Sequence, residues 1–172
     1  MSRRIVLTDH QLPLRRLPLL LAALALVCAG AVASSARADS SVLQVSGSVS
    51  LGRGNPPSWR PLAAGEKLQP GDSLRSERDG RAEISLDGNR VRLYGDSLLR
   101  LPGAAAPSGT QAAELERGAS LFDITPGRKS PFEVRSPEVI VSVKGTRFRI
   151  ALDAGQAEVA VYRGEVGVRA PS

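Results

Sequence analysis

S-P-E-V-I-V-S-V-K-G-T-R-F-R-I, residues 136–150, is the densest β-branched run in the chain, and it changes phase midway. Val139, Val141 and Val143 alternate on odd numbers, as one face of a strand does. Phe148, Ile150 and Leu152 continue on even numbers. A slip of one residue moves a strand's whole apolar set to its other face, so one straight strand cannot hold both runs. The chain has to bulge or turn between them, and Gly145-Thr146 is the place where a residue without Cβ permits it. The stretch therefore predicts two short strands meeting at a corner, both apolar faces kept inward.

Outward from this corner the pattern repeats. Toward the C-terminus, Ala157, Val159 and Val161 alternate, Arg163-Gly164-Glu165 turns, and Val166 and Val168 return as a closing hairpin. Toward the N-terminus, Phe132 and Val134 lead in, and Leu115 to Ile124 reads as a strand. Gly103–Ala113, small and polar, reads as a loop, and Leu98, Leu99 and Leu101 form a short apolar patch. Ala82, Ile84 and Leu86 turn at Asp87-Gly88 into Val91 and Leu93, a hairpin. Leu62–Ser73 holds two turn signals around Leu68, Gly52–Pro61 is a loop by composition, and Val42, Val45, Val49 and Leu51 open the domain. Along residues 39–172 apolar residues seldom recur at i, i+3, i+4, and Gly and Pro interrupt nearly every window longer than ten. Roughly ten short strands with turns every 8–12 residues predict a single all-β domain, either a twisted, solenoid-like stack or a sandwich-like one.

Residues 1–38 carry a different signal. Two Arg pairs precede the apolar run at 17–33, and Ala36-Arg37-Ala38 places small residues where a signal peptidase reads them. A secretory leader cleaved before Asp39 is expected, with an uncleaved membrane anchor through 17–33 as the alternative. Residues 39–172 form the domain, periplasmic or secreted.

The leader also holds five of the 23 Lys and Arg against one acid, so the remainder carries 18 cations against 16 acids, a net charge of +2. That balance gives no support to a nucleic-acid partner. Cys28 and His10, each the sole residue of its type, lie in the leader too. The secreted part then has no thiol nucleophile, no His base, no disulfide and no Cys or His metal ligand. No catalytic residue, metal or cofactor is expected. A carboxylate hydrolase survives only as a remote class, because nothing in the sequence brings two of the sixteen acids together.

Two candidate contact sites remain. Lys144, Arg147 and Arg149 should project opposite to Val143, Phe148 and Ile150, forming a basic stripe for a partner; the plainer reading is a solvated face that discourages edge pairing. Trp59, in a Pro-rich loop, could stack on a sugar or fold back over the core. Tyr94 and Tyr162 read as structural strand ends, and Asp123 as a hydrogen-bonding residue facing away from Phe122 and Ile124.

Five segments in order carry a further signal: L-x-x-G-D-x-L (Leu68 to Leu74), A-x-I-x-L-D-G-x-x-V-x-L (Ala82 to Leu93), L-E-R-G-x-x-x-F-D-I (Leu115 to Ile124), F-E-V-x-S-P-x-V-x-V-x-V-x-G-T-x-F-x-I (Phe132 to Ile150) and V-x-V-Y-R-G-E-V-x-V (Val159 to Val168). Together they resemble the FecR domain family, from about Val42 to Val168. The resemblance implies a non-catalytic periplasmic β domain that acts by binding, in envelope signalling or as a scaffold. Its partner would be an outer-membrane receptor or an inner-membrane regulator, and the alternative is a peptidoglycan- or glycan-binding accessory module. Signalling members carry a cytoplasmic sigma-binding segment before their membrane span. The 16 residues ahead of the apolar run here are too few to fold as one. The strand order and the oligomeric state are not legible at this level.

Overall fold

Alternation of the kind just described is what makes half-buried strands, because side chains of successive residues point to opposite faces. The computed structural model describes residues 40–103, 111–127 and 131–171, and the leader assignment therefore lies outside the described residues. In chain order the strands are β1 (Ser41–Ser46), β2 (Val49–Arg53), β3 (Ser58–Pro61), β4 (Ser73–Ser76), β5 (Arg81–Leu86), β6 (Asn89–Leu93), β7 (Leu98–Arg100), β8 (Gln111–Asp123), β9 (Phe132–Arg135), β10 (Ile140–Val143), β11 (Arg147–Asp153), β12 (Gln156–Arg163) and β13 (Val166–Arg169). Among the described residues there is no helix, and so none long and apolar enough to cross a membrane.

All thirteen belong to one curled sheet. One half runs β1-β5-β6-β8-β11-β12 and the other β13-β10-β9-β8-β7-β4-β2-β3, with β8 common to both. The β8–β9 ladder is parallel and the other described ladders are antiparallel. The domain is all-β, as the alternation predicts. Its two halves curl to face a shared core instead of stacking as parallel coils.

β8 serves both halves by bending at Gly118, whose φ is +79° and where a Cβ would lie 2.6 Å from the Asp96 carbonyl oxygen. Residues before the bend pair with β7 and β9, and those after it with β6 and β11. The three phenylalanines of the chain meet where the halves close: Phe122 (β8) stacks on Phe148 (β11) at 5.2 Å and tilts against Phe132 (β9) at 6.1 Å. All three are buried, in one core cluster with Leu51, Leu74, Ile84, Leu93, Leu99 and Leu115.

Three segments differ from their sequence reading. Ala157 to Val168, expected as a closing hairpin, is divided between the halves, β12 pairing with β11 and β13 with β10. Gly52–Pro61, expected as a loop, is largely a hairpin of β2 and β3. Gly54, Pro56 and Pro57 form its turn, and Gly52, within β2, makes room for Trp59, since a Cβ there would be 2.9 Å from the indole. β8 begins at Gln111, inside the stretch expected as a loop through Ala113. Its alanines and polar residues gave no alternation to read. The strand total is thirteen instead of roughly ten because short pieces such as β3 and β7 carry too few apolar residues to show a period.

The free edge of β1 is covered by residues 62–68. Val42 N–H donates to the Glu66 carbonyl at 2.8 Å, Gly65 N–H to the Val42 carbonyl at 2.8 Å and Leu68 N–H to the Ser40 carbonyl at 2.9 Å. Glu66 also pairs with Arg60, and this hydrogen-bonded guanidinium holds its carboxyl below the usual value near 4.5. A carboxylate with a depressed folded-state pKa contributes above its ordinary value and ceases to as pH falls through the folded one. Hydrogen exchange of the Val42, Gly65 and Leu68 amides should therefore be constant, after correction for intrinsic rate, above about pH 4.5 and accelerate below it.

Candidate functional site

The phase change is where the chain passes from one half of the sheet to the other. β10 pairs with β9 and β13, and β11 with β8 and β12. Between them Gly145 takes φ +86°, and a Cβ there would lie 2.7 Å from Pro126 Cα. Thr146 is buried; its hydroxyl donates to the Glu165 carbonyl at 2.8 Å, and its own carbonyl accepts from Ile124 N–H at 3.0 Å. Gly145 and Thr146 thus tie together the ends of β8, β10 and β12.

Beyond the corner, β11 turns Phe148 and Ile150 into the core and Arg147 and Arg149 outward. The neighbouring strands bring more arginines to the same face. Arg147 is level with Asp123 (β8) and Arg163 (β12), and Asp123 in turn with Arg90 (β6). One row along, Arg149 is level with Leu121, which is level with Arg92, which is level with Glu83. Arg90, Arg92, Arg147, Arg149 and Arg163 therefore share one outer face with Glu83 and Asp123, and the same register puts Arg81, beside Glu83, and Glu158, level with Ala151, on that face too. Glu83 binds Arg92 at 2.6 Å and Arg90 at 3.1 Å, and Asp123 binds Arg163 at 3.0 Å. The pairing with Glu83 holds the Arg92 guanidinium above its ordinary pKa.

No ion pair among the described residues takes up Arg147 or Arg149. Arg149 lies over the Tyr94 ring, its guanidinium carbon 5.9 Å from the centroid, so that tyrosine braces the face. Leu121 faces outward yet is buried, as happens where long arginine stems lie across a residue. Lys144 is exposed but sits in the turn ahead of β11, so the expected three-residue stripe is two arginines on a strand with Lys144 apart from them.

Arg90, Arg92 and Arg163 did not register as site residues because their strands are far from β11 in sequence. A signal for two of them exists: Arg90-Val91-Arg92 repeats the Arg147-Phe148-Arg149 pattern of an apolar residue between outward arginines. Asp123 does face away from Phe122, as expected, and its bond is to Arg163.

Trp59 is half-buried on β3, with the Arg75 guanidinium carbon 4.6 Å from its ring centroid. One face of the indole is thus occupied and its edge lies against Gly52. Tyr162 is 61% exposed inside β12 and is not a packed strand end. Among the described residues no three His, Cys, Asp or Glu side chains gather as a metal ion would require.

Known proteins place the domain. Two crystal structures of a protein assigned as an anti-sigma factor, from Parabacteroides distasonis, are each 25% identical with a TM-score of 0.52. Each alignment covers 58% of this chain and 47% of the solved one, so this chain spans about half the length of the proteins it matches. No curated protein matches. The FecR protein family matches residues 72–167, a span that contains β4 to β12, the corner and every arginine of the outer face, and the chain belongs to that family.

Proposed function

We propose that this domain is a regulatory binding module of the bacterial envelope, which holds an acidic segment of a protein partner against its arginine face. The single observation that carries the reading is that face: five arginines in adjoining rows of β6, β11 and β12, with Arg147 and Arg149 in no ion pair among the described residues. Arginine presents a planar fork that matches a carboxylate in two parallel hydrogen bonds, and it is more weakly hydrated than lysine. Along β6 and β11 the arginines recur every second residue, a repeat of about 6.6 Å. An extended acidic segment with carboxylates at the same spacing would meet them in register.

Membership of the FecR family and likeness to a protein assigned as an anti-sigma factor both support regulation by protein binding. Behind the leader, the domain would work in the periplasm, its partner an outer-membrane receptor or an inner-membrane regulator. Trp59 is a poorer sugar platform than it looks in sequence, because Arg75 covers one side of the ring.

The test is crosslinking in cells followed by mass spectrometry, comparing wild type with the double reversal Arg147→Glu/Arg149→Glu. Capture of a protein partner should fall at least about tenfold, equivalent to about 1.4 kcal/mol, with a weaker effect of Lys144→Glu. Undiminished capture by the double variant, or recovery of peptidoglycan fragments in place of a protein, would overturn the reading.

A further inference from the structure

The edges of the curled sheet are unequally protected. β1 is covered by residues 62–68, with a bridge between Ser41 and Lys67. β3 is four residues long and carries Arg60 and Pro61, and such short, charged and Pro-containing strands resist pairing. β12 has none of these guards. It is eight residues long and, among the described residues, pairs with β11 alone. From Ala157 to Tyr162 it holds one charge, Glu158. A long, largely uncharged edge of this kind recruits another strand.

The apolar surface beside this edge is likewise uncovered. Val161 opposes the buried Phe148 on the inner face of the sheet, yet is 43% exposed. Val168 on β13, opposite the buried Val141 of β10, is 56% exposed. Ala157, Val159 and Val166 reach the core only in part. β12 and β13, joined by the Gly164 turn, thus each leave apolar residues of their inner faces only partly covered.

The sequence of the edge indicates its occupant. Between the turn at Ala154-Gly155 and the register shift near Tyr162 lies a regular run, Ala157 to Val161, centred on Val159. Laid antiparallel against itself about that centre, it sets Val159 opposite Val159, Ala157 opposite Val161 and Glu158 opposite Ala160. Like charges directly opposite one another destabilise a strand pair, and here the only carboxylate of the run meets an alanine. We infer that β12 pairs edge to edge with β12 of a second copy of this chain, giving a two-fold symmetric dimer with one continuous sheet. The two-fold axis then stands normal to the sheet, and the arginine faces of the two copies lie on the same side.

Sedimentation of the protein purified after expression of the full chain should give the mass of two chains. Val159→Lys, which sets two cations against each other on the axis, should give the mass of one with the β-sheet circular dichroism retained. Residues directly opposite in an antiparallel pair have Cα atoms about 4.5–5.5 Å apart, within the range a disulfide spans. With Cys28→Ser in the background, Val159→Cys should therefore oxidise to a covalent dimer, and Val168→Cys should not. A single-chain mass at every concentration, a dimer that Val159→Lys leaves intact, or equal crosslinking at both cysteine positions would overturn the inference. None of these results depends on whether an acidic partner binds the arginine face.

Discussion

Phe122→Ala should cost about 3–5 kcal/mol, the usual range for removing a buried phenylalanine ring, against a total stability of about 5–15 kcal/mol for a domain. The reason lies in what surrounds the ring. Phe122 is fully buried, level with Val91 on one side and Phe148 on the other, and tilted against Phe132. Those neighbours belong to β6, β11 and β9, strands fixed by their own ladders, so the space left by the ring cannot close by local collapse. Offset aromatic pairs add about 0.5–1.5 kcal/mol beyond the area they bury, and both pairs vanish with Phe122. Because Phe132 comes from the opposite half of the sheet, the lost contacts are also those that hold the halves together. Urea denaturation followed by circular dichroism measures the effect. A cost under about 1 kcal/mol, the scale of an ordinary point substitution, would mean that the aromatic cluster does not join the halves.

How far such contacts could be read in advance depends on the kind of pattern that encodes them. Alternation exposed the strands that are half-buried and at least four or five residues long: Ala82-Ile84-Leu86, Val91-Leu93, Phe148-Ile150 and Val159-Val161 all place their apolar side inward. It was silent for β3, where Trp59 is the only large apolar side chain before Pro61, and for the start of β8, where Gln111-Ala112-Ala113 has no contrast between faces. Beyond the hairpin of β5 and β6 at Asp87-Gly88, pairing was not legible. Nothing local says that β8 should serve both halves or lie parallel to β9, since those choices are made by contacts among residues far apart in the chain. The arginine face shows the same limit. Arg147 and Arg149 stand out because they share a strand. Arg90, Arg92 and Arg163 join them only once β6, β8, β11 and β12 are laid side by side. A lysine close in sequence, Lys144, falls outside the face because the corner intervenes.

That corner gives the second large effect. Gly145→Val should destabilise the protein by about 2–6 kcal/mol, from two separable causes. A β-branched residue held at positive φ is strained by roughly 1–3 kcal/mol, and Gly145 sits at φ +86°. Overpacking costs about 1–3 kcal/mol more, because even a Cβ would lie 2.7 Å from Pro126 Cα and 2.9 Å from its Cβ, backbone and ring atoms that cannot swing aside. Gly155 separates the two contributions. It has a similar φ of +76°, and a Cβ there would meet nothing within 4 Å, so Gly155→Ala should show the conformational cost alone, about 1 kcal/mol. The displacement forced at Gly145 also reaches Thr146, whose hydroxyl holds the Glu165 carbonyl and whose carbonyl holds Ile124 N–H. Losing register there would release the β12–β13 turn from the end of β8. Thermal melts of both variants decide the matter. If Gly145→Val melts within a degree or two of Gly155→Ala, the crowding at Pro126 is not felt. The passage of the chain between the two halves would then tolerate a side chain that the geometry of the corner excludes.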